Sequence, residues 1–130
     1  MDITPVDIDC LSEREIARQG FLRIAERNRE GLGMVNPQRA LAFVQERIGT
    51  FDFPDIVFIT EEDSNDLQKL HETFPVFSRT WSDSAYKWPG QYNEYLNIAF
   101  IGYGSYLRSL YSDLKFESRI VHEVMHASGR

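Results

Sequence analysis

The chain has 130 residues, of which 42% are hydrophobic and 13% aromatic, and its formal net charge is −6. A chain of this length buries roughly two-thirds of the surface that it exposes when unfolded, so residues 1–130 are expected to form one domain with an apolar core. The acidic charge argues against a nucleic-acid partner, and the lack of a long apolar run or a signal peptide argues against a membrane protein.

Two helices are predicted before the first strand. Residues 12–15 read S-E-R-E, the form of a capping box, and predict a helix that runs to about Glu30. Its apolar and basic residues recur at helical spacing, with an expected inner set of Ile16, Phe21, Ile24 and Ala25 and an expected solvated set of Arg14, Arg18, Arg27 and Arg29. Asn36 and Pro37 predict the start of a second helix that ends at Gly49. Its buried residues are expected to be Leu41, Val44 and Ile48.

The middle of the chain predicts a small sheet. Residues 56–59 are β-branched and aromatic and are interpreted as a buried central strand, followed by a polar loop at 61–65 and a short helix at 66–73. Further predictions, in chain order, are an edge strand at 76–81, an irregular loop at 82–93 and a second strand at 95–101. The last helix begins between Ser105 and Ser112. The fold class is therefore α+β, with a small mixed sheet, helices before it and a helix at the C-terminal end.

The last helix carries the spacing HExxH in the residues His122, Glu123 and His126. Two histidines four positions apart lie on one face of a helix, so both imidazoles can bind one ion, and Zn²⁺ accepts such ligands at about 2.0–2.1 Å. Glu123 can then take a proton from a water molecule that the ion activates. Ser112 and Asp113 offer an N-cap, and the helix is apolar enough to be buried through Leu114, Ile120, Val121 and Val124. The pattern predicts His122 and His126 as zinc ligands and Glu123 as the general base.

Residues 122–129 resemble the first eight positions of the metzincin signature HExxHxxGxxH, which belongs to the zincin metallopeptidases. The resemblance implies a zincin-like fold, zinc as cofactor, and a peptide or protein substrate whose peptide bond is hydrolysed. It also implies that Gly129 turns the chain sharply off the helix. In the zincins a substrate lies extended along an edge strand, a place for which strands 76–81 and 95–101 are both candidates.

The third protein ligand of the predicted zinc site is not part of residues 122–129. The signature places it two residues after Arg130, which leads us to expect a truncated or processed form of a longer protein. An upstream ligand such as His71 is the second explanation, although a surface histidine among charged neighbours is the simpler interpretation. Loss of activity is the third. Cys10 could block the zinc from the N-terminal segment, although a buried free cysteine is the commoner role.

Cys10 is also the only cysteine, which excludes an internal disulfide and fits a reducing compartment. The expected location is therefore the cytoplasm, or outside the cell without a visible signal peptide.

Several other residues have a functional and a structural interpretation. Tyr103, Tyr106 and Tyr111 could stabilise an oxyanion, and Trp81, Tyr86 and Trp88 could line a cleft, but packing is the simpler role for each. The acidic residues 61–63 could bind a cation, although loop acids are usually just solvated.

Two other functions are open at this point. The chain could be a non-enzymatic acidic module that binds other proteins and keeps a zincin-like shape without a complete metal site. It could also be a zinc enzyme that hydrolyses a different bond. Metal content and peptidase activity separate these functions from the predicted metallopeptidase.

Overall fold

The computed structural model describes residues 13–75 and 89–129. The helices and strands of this part are, in chain order, α1 (Glu13–Asn28), α2 (Pro37–Ile48), β1 (Asp55–Ile59), α3 (Ser64–Thr73), β2 (Gly90–Asn93), β3 (Ile98–Gly102), α4 (Ser105–Leu110) and α5 (Asp113–Ala127). Short 3₁₀ turns occupy Arg29–Leu32 and Glu61–Asp63. The mixture of helices and a small sheet confirms the α+β class. The predicted strand at 76–81, Ser12 of the capping box and Cys10 lie outside the described residues.

The three strands form one mixed sheet in the order β1-β3-β2. β3 runs parallel to β1, with Ile98 beside Asp55, and antiparallel to β2, with Ile101 beside Gly90. All five residues of β3 are buried, so β3 is the central strand of the described sheet. The predicted burial of 56–59 is confirmed for Val57, Phe58 and Ile59, whereas β1 has one strand neighbour, β3, within the described residues. An apolar run indicates burial but not which strands lie on either side.

The second half of the sheet also corrects the predictions for 82–93 and 95–101. Gly90–Asn93, predicted as irregular loop, is the strand β2, and the next strand begins only at Ile98. Residues 94–97 instead form the turn of the β2–β3 hairpin, where Asn97 adopts a positive φ of 53°. β2 was missed because its residues are polar and only partly buried, as befits a strand with one described neighbour.

Helices cover both faces of the sheet. Side chains of a strand alternate between faces, so Val57 and Ile59 of β1 point to one layer and Phe58 to the other. The first layer is built from α1 and α3, whose buried residues are Ala17, Phe21, Ile24 and Leu67. The second is built from α2, α4 and α5, whose buried residues are Ala40, Val44, Leu107, Phe116, Glu117, Ile120, Glu123 and Val124. The helix with the HExxH residues therefore lies in the second layer.

The helix ends follow the sequence closely. The Asn36 side chain accepts a hydrogen bond from the backbone N–H of Arg39, and α2 stops before Gly49, which has φ 83°. The Ser112 side chain caps α5 in the same way, as predicted. By contrast, α3 begins at Ser64 and not at 66, because the preceding acidic residues already form a 3₁₀ turn.

Some exposures differ from the amphipathic pattern. Ile16 is 57% and Leu114 72% exposed, although both were expected inside. Arg14 and Arg18, expected in solvent, are only partly exposed because their guanidinium groups donate hydrogen bonds to the carbonyl oxygens of Tyr95 and Leu96. These carbonyls belong to the hairpin turn, so the two arginines connect α1 to that turn.

Asp63 is the one residue of the acidic run 61–63 that is buried, with no exposed surface. Its carboxylate accepts hydrogen bonds from the backbone N–H of Thr60 at 2.7 Å and from the Asn28 amide at 2.8 Å, and Arg27 pairs with it. The expectation of a solvated loop acid is therefore wrong for Asp63, which links α1 to the end of β1.

A second buried carboxylate fixes the position of α5. Glu117 accepts hydrogen bonds from the backbone N–H of Asn36 at 2.9 Å and from two nitrogens of the Arg39 guanidinium, at 3.0 and 2.6 Å. Because these donors lie at the start of α2, the contact ties that helix to the turn of α5 that precedes His122. Charge-assisted hydrogen bonds of this kind are among the stronger ones in proteins.

Candidate metal centre

The helix α5 presents its apolar side to the sheet and its histidines to solvent. Phe116, Ile120 and Val124 are at most 2% exposed, and burying each such side chain stabilises the fold by roughly 1.5–3 kcal/mol. His122 and His126, four residues apart, project from the opposite side of the helix and are exposed. The helix is thus anchored by its inner face, and its outer face is available to a ligand.

The two imidazoles meet each other. Nε2 of His122 lies 3.1 Å from Nε2 of His126, and the ring centroids are 4.7 Å apart with an interplanar angle of 78°. Oε1 of Glu123 lies 3.9 Å from Nε2 of His122. One nitrogen from each histidine and one carboxylate oxygen lie within 4.8 Å of one another, which makes these three residues a possible metal-binding group. The three residues therefore share one helix with their donor atoms close together, and their role as a metal site stays a prediction.

The donor set suits a zinc ion. Two ligands at about 2.0–2.1 Å from a tetrahedral ion lie roughly 3.3–3.4 Å apart, close to the 3.1 Å between the two Nε2 atoms. Two imidazole nitrogens are typical ligands for this ion. The 3.9 Å between Oε1 of Glu123 and Nε2 of His122 is longer than the separation of two such ligands, so this carboxylate would lie beside an ion held by the two histidines.

Glu123 has a different environment from its two neighbours, because it is only 4% exposed. Burial raises the pKa of its carboxyl group, while the nearby His122, His126 and Arg119 act in the opposite direction. A raised pKa makes the ionised carboxylate a stronger base than an ordinary surface carboxylate. The chain therefore places a basic carboxylate directly beside two exposed imidazoles.

The first residue of β2 packs against this carboxylate. A Cβ atom at Gly90 would lie 2.9 Å from Cγ of Glu123 and 3.0 Å from Cδ of Arg119, closer than real Cβ contacts allow. Glycine at this position lets the backbone of β2 approach α5, and the strand in turn limits where the Glu123 side chain can lie. The sequence offered only the dipeptide Pro89-Gly90 as a signal, which was interpreted as part of a loop.

The end of α5 shows the turn that was predicted for Gly129. The helix ends at Ala127, and Gly129 has φ 79°, a conformation that glycine adopts at little cost. The backbone N–H of Gly129 donates to the carbonyl oxygen of His126 at 3.0 Å. The chain consequently leaves the helix immediately after the second histidine.

Of the other candidate site residues that the structure describes, Tyr111 lies near this cluster, and His71, Tyr103 and Tyr106 have other surroundings. His71 lies on α3, in the layer on the other face of the sheet. Tyr103 is buried, and its hydroxyl donates to the carbonyl oxygen of Leu32 at 2.8 Å, which gives it a structural role. Tyr106 is 63% exposed, whereas Tyr111 lines a small cavity beside His122. Trp81, Tyr86 and Trp88 lie outside the described residues.

Two residues of this site were missed from the sequence. Lys115 and Arg119 line the same cavity as His122 and precede it by about two turns and about one turn of the helix, respectively. Basic residues on a helix are normally solvated, and nothing in their spacing distinguishes them from the other surface cations. Their place beside His122 depends on the folded structure, in which Arg119 also lies against Gly90 of β2.

The sequence matches no protein-family model, and comparisons with curated proteins and with solved structures likewise find no match. Within the two described ranges, no helix is both long and apolar enough to cross a bilayer. The geometry of the site is therefore the basis of the functional proposal.

Proposed function

We propose that the protein is a zinc-dependent metallopeptidase of zincin type, with His122 and His126 as metal ligands and Glu123 as general base. The observation that carries the proposal is the pair of imidazole nitrogens 3.1 Å apart, next to a buried carboxylate on the same helix. The turn at Gly129 supports the metzincin resemblance of residues 122–129. On this proposal a further residue, outside the three named here, supplies the third ligand.

The residues of the site divide the chemistry between them. Zn²⁺ bound by the two histidines would act as a Lewis acid and lower the pKa of a nearby water molecule to about 7. Glu123 accepts a proton from the water that attacks the carbonyl carbon of the peptide bond. It then returns a proton to the amine nitrogen as the C–N bond breaks. Its raised pKa suits both roles, since the group must bind the proton and release it again.

We place an extended peptide substrate along β2, the strand that lies nearest the candidate site. Within the described part of the chain β2 pairs with β3 on one side. Gly90, at the start of β2, lies against Glu123 and Arg119, so a peptide paired to this strand would pass next to the general base. Addition of a strand to a sheet edge is a common mode of peptide recognition. On this proposal the substrate is a peptide, and β2 takes the role for which the sequence suggested strands 76–81 or 95–101.

Removal and return of zinc tests the proposal. The full-length chain is incubated with a mixed peptide library, and cleavage products are identified by mass spectrometry. Activity is expected to disappear on treatment with a chelator and to return when one equivalent of Zn²⁺ is added, because the metal is required for the attacking water. A protein that binds stoichiometric zinc but cleaves no peptide would contradict the peptidase, and one that is folded, metal-free and inert would favour the interaction module.

Gly90→Ala is expected to lower kcat by about tenfold to 10²-fold while zinc binding stays unchanged. The added methyl group must displace the Glu123 side chain or separate β2 from α5, and small displacements of a catalytic group have effects of this size. The measurement is kcat together with zinc affinity and Tm.

Gly20→Ala is the matched control for this substitution. There too a Cβ would be too close to a side chain, at 2.5 Å from Cδ2 of Leu70, but on the other face of the sheet. It is expected to lower Tm and leave kcat unchanged. Equal losses of kcat in both variants would mean that Gly90 acts through general stability and does not position Glu123.

A further inference from the structure

A small cavity lies beside His122, next to the residues of α5 that precede it in the chain. It has a volume of about 170 Å³ and is lined by Tyr111, Lys115, Ser118, Arg119 and His122. Ligand sites for whole small molecules measure about 300–1,000 Å³, so this cavity is the size of a single side chain or terminal group. Since His122 forms one wall, whatever occupies the cavity lies next to the metal centre.

The cavity is basic in a protein that is acidic overall. Lys115 and Arg119 are four residues apart on α5 and therefore share one side of the helix. Among the described residues neither forms a salt bridge, whereas Arg18, Arg27, Arg29 and Arg39 each pair with a carboxylate. Two cations in one cavity, neither of them held in a salt bridge, can bind an anionic group from outside.

Arg119 is held in place for such a role. Its Cγ and Cδ atoms lie against the backbone of β2, since a Cβ at Gly90 would come within 3.1 and 3.0 Å of them. The aliphatic part of the side chain is thus packed, which reduces the entropy lost when the guanidinium group binds a partner. The hydroxyl groups of Tyr111 and Ser118 add two further hydrogen-bond donors to the lining.

We propose that this cavity is a substrate subsite that binds a carboxylate group of the peptide, either an acidic side chain or the C-terminal carboxylate. The inference rests on the proposed peptidase function and adds its substrate class. A planar guanidinium forms paired hydrogen bonds with a carboxylate, and Lys115 adds a second positive charge. The charge is complementary, and the volume admits one such group.

Arg119 could instead act through Glu123, whose pKa its charge lowers. The two roles differ in what they change. An effect through Glu123 would alter turnover of every peptide equally and would not involve Lys115. If Arg119 recognises a carboxylate, its loss would weaken binding only of peptides that carry the recognised carboxylate, and the loss of Lys115 would have the same effect.

The test measures binding without turnover, on the full-length chain carrying Glu123→Gln. Three short peptide pools are compared by calorimetry: one with glutamate at random positions, one with glutamine in its place, and one with glutamine and an amidated C-terminus. The glutamate pool is expected to bind about tenfold more tightly than the glutamine pool if the subsite takes a side chain. A preference of the same size for the free over the amidated C-terminus assigns the cavity to the terminal carboxylate.

Lys115→Gln and Arg119→Gln are each expected to remove most of this preference, and Lys69→Gln, an exposed cation on α3, is the charge-matched control that should keep it. An acidic preference that survives the Lys115→Gln/Arg119→Gln double variant would overturn the proposal, and so would the absence of any preference in the parent. Failure of the peptidase function is separable, because it would abolish cleavage by the chain with Glu123 intact while leaving these binding measurements unchanged.

Discussion

Glu123→Gln is expected to lower kcat by about 10²–10⁴ while zinc content and the fold are retained. Glutamine has nearly the shape of glutamate and can still form hydrogen bonds, but its amide cannot accept the proton of the attacking water. The folded protein should tolerate the change well. Burial raises the pKa of Glu123, so the ionised carboxylate at neutral pH opposes folding, and a neutral amide avoids that cost. Tm at pH 7 should therefore not fall.

The measurements are steady-state kinetics on a cleaved peptide, zinc analysis and a thermal melt, all on the full-length chain. Glu94→Gln makes the same chemical change at an exposed residue of the hairpin turn and is the matched control, with wild-type kcat expected. Wild-type activity in Glu123→Gln would show that Glu123 is not the base, and the mechanism proposed above would be wrong.

His126→Ala is expected to lose zinc and activity together, with zinc affinity reduced at least about 100-fold. Removal of a residue that only supports a metal ligand typically costs 10–100-fold, and loss of a ligand itself should cost more. The imidazole of His126 is exposed and lies on the outer side of α5, so stability of the metal-free protein should change by less than about 0.5 kcal/mol. Calorimetric zinc titration and unfolding of the metal-free protein measure the two effects separately.

His71→Ala is the control for this variant, because His71 lies on α3 in the other helical layer. It should bind zinc with wild-type affinity. A loss of zinc binding in His71→Ala equal to that in His126→Ala would make His71 the third ligand and would contradict its placement on the far side of the sheet. Glu123→Gln and His126→Ala are also expected to differ from each other, since only Glu123→Gln should be an inactive protein that still holds its metal.

The parts of the fold that the sequence predicted well are those encoded locally. The caps at Asn36 and Ser112, the end of α2 at Gly49 and the turn at Gly129 depend on one or two residues whose backbone preferences dominate. The grouping of His122, Glu123 and His126 is local too, because the geometry of a helix brings residues four apart onto one side.

The parts that were missed depend on partners distant in the chain. β2 has a polar sequence and becomes a strand by pairing with β3, which no pattern within 90–93 reveals. Likewise Asp63 is acidic but buried, because Asn28 and Arg27 on α1 supply its partners. The contact of Gly90 with Glu123 and Arg119 is of the same kind, since it exists only after β2 and α5 have packed.

One helix, α5, carries both the possible metal-binding group and the basic cavity, and its regular geometry sets the spacing between them. An α-helix rises 1.5 Å per residue, so Arg119 lies roughly 7.5 Å along the axis from the midpoint of His122 and His126. An extended peptide advances about 3.3 Å per residue and covers that length in about two residues. The distance from the proposed carboxylate subsite to the proposed metal centre is thus fixed by the hydrogen-bonded backbone of a single element, and it does not change when the helix moves as a rigid body against the sheet.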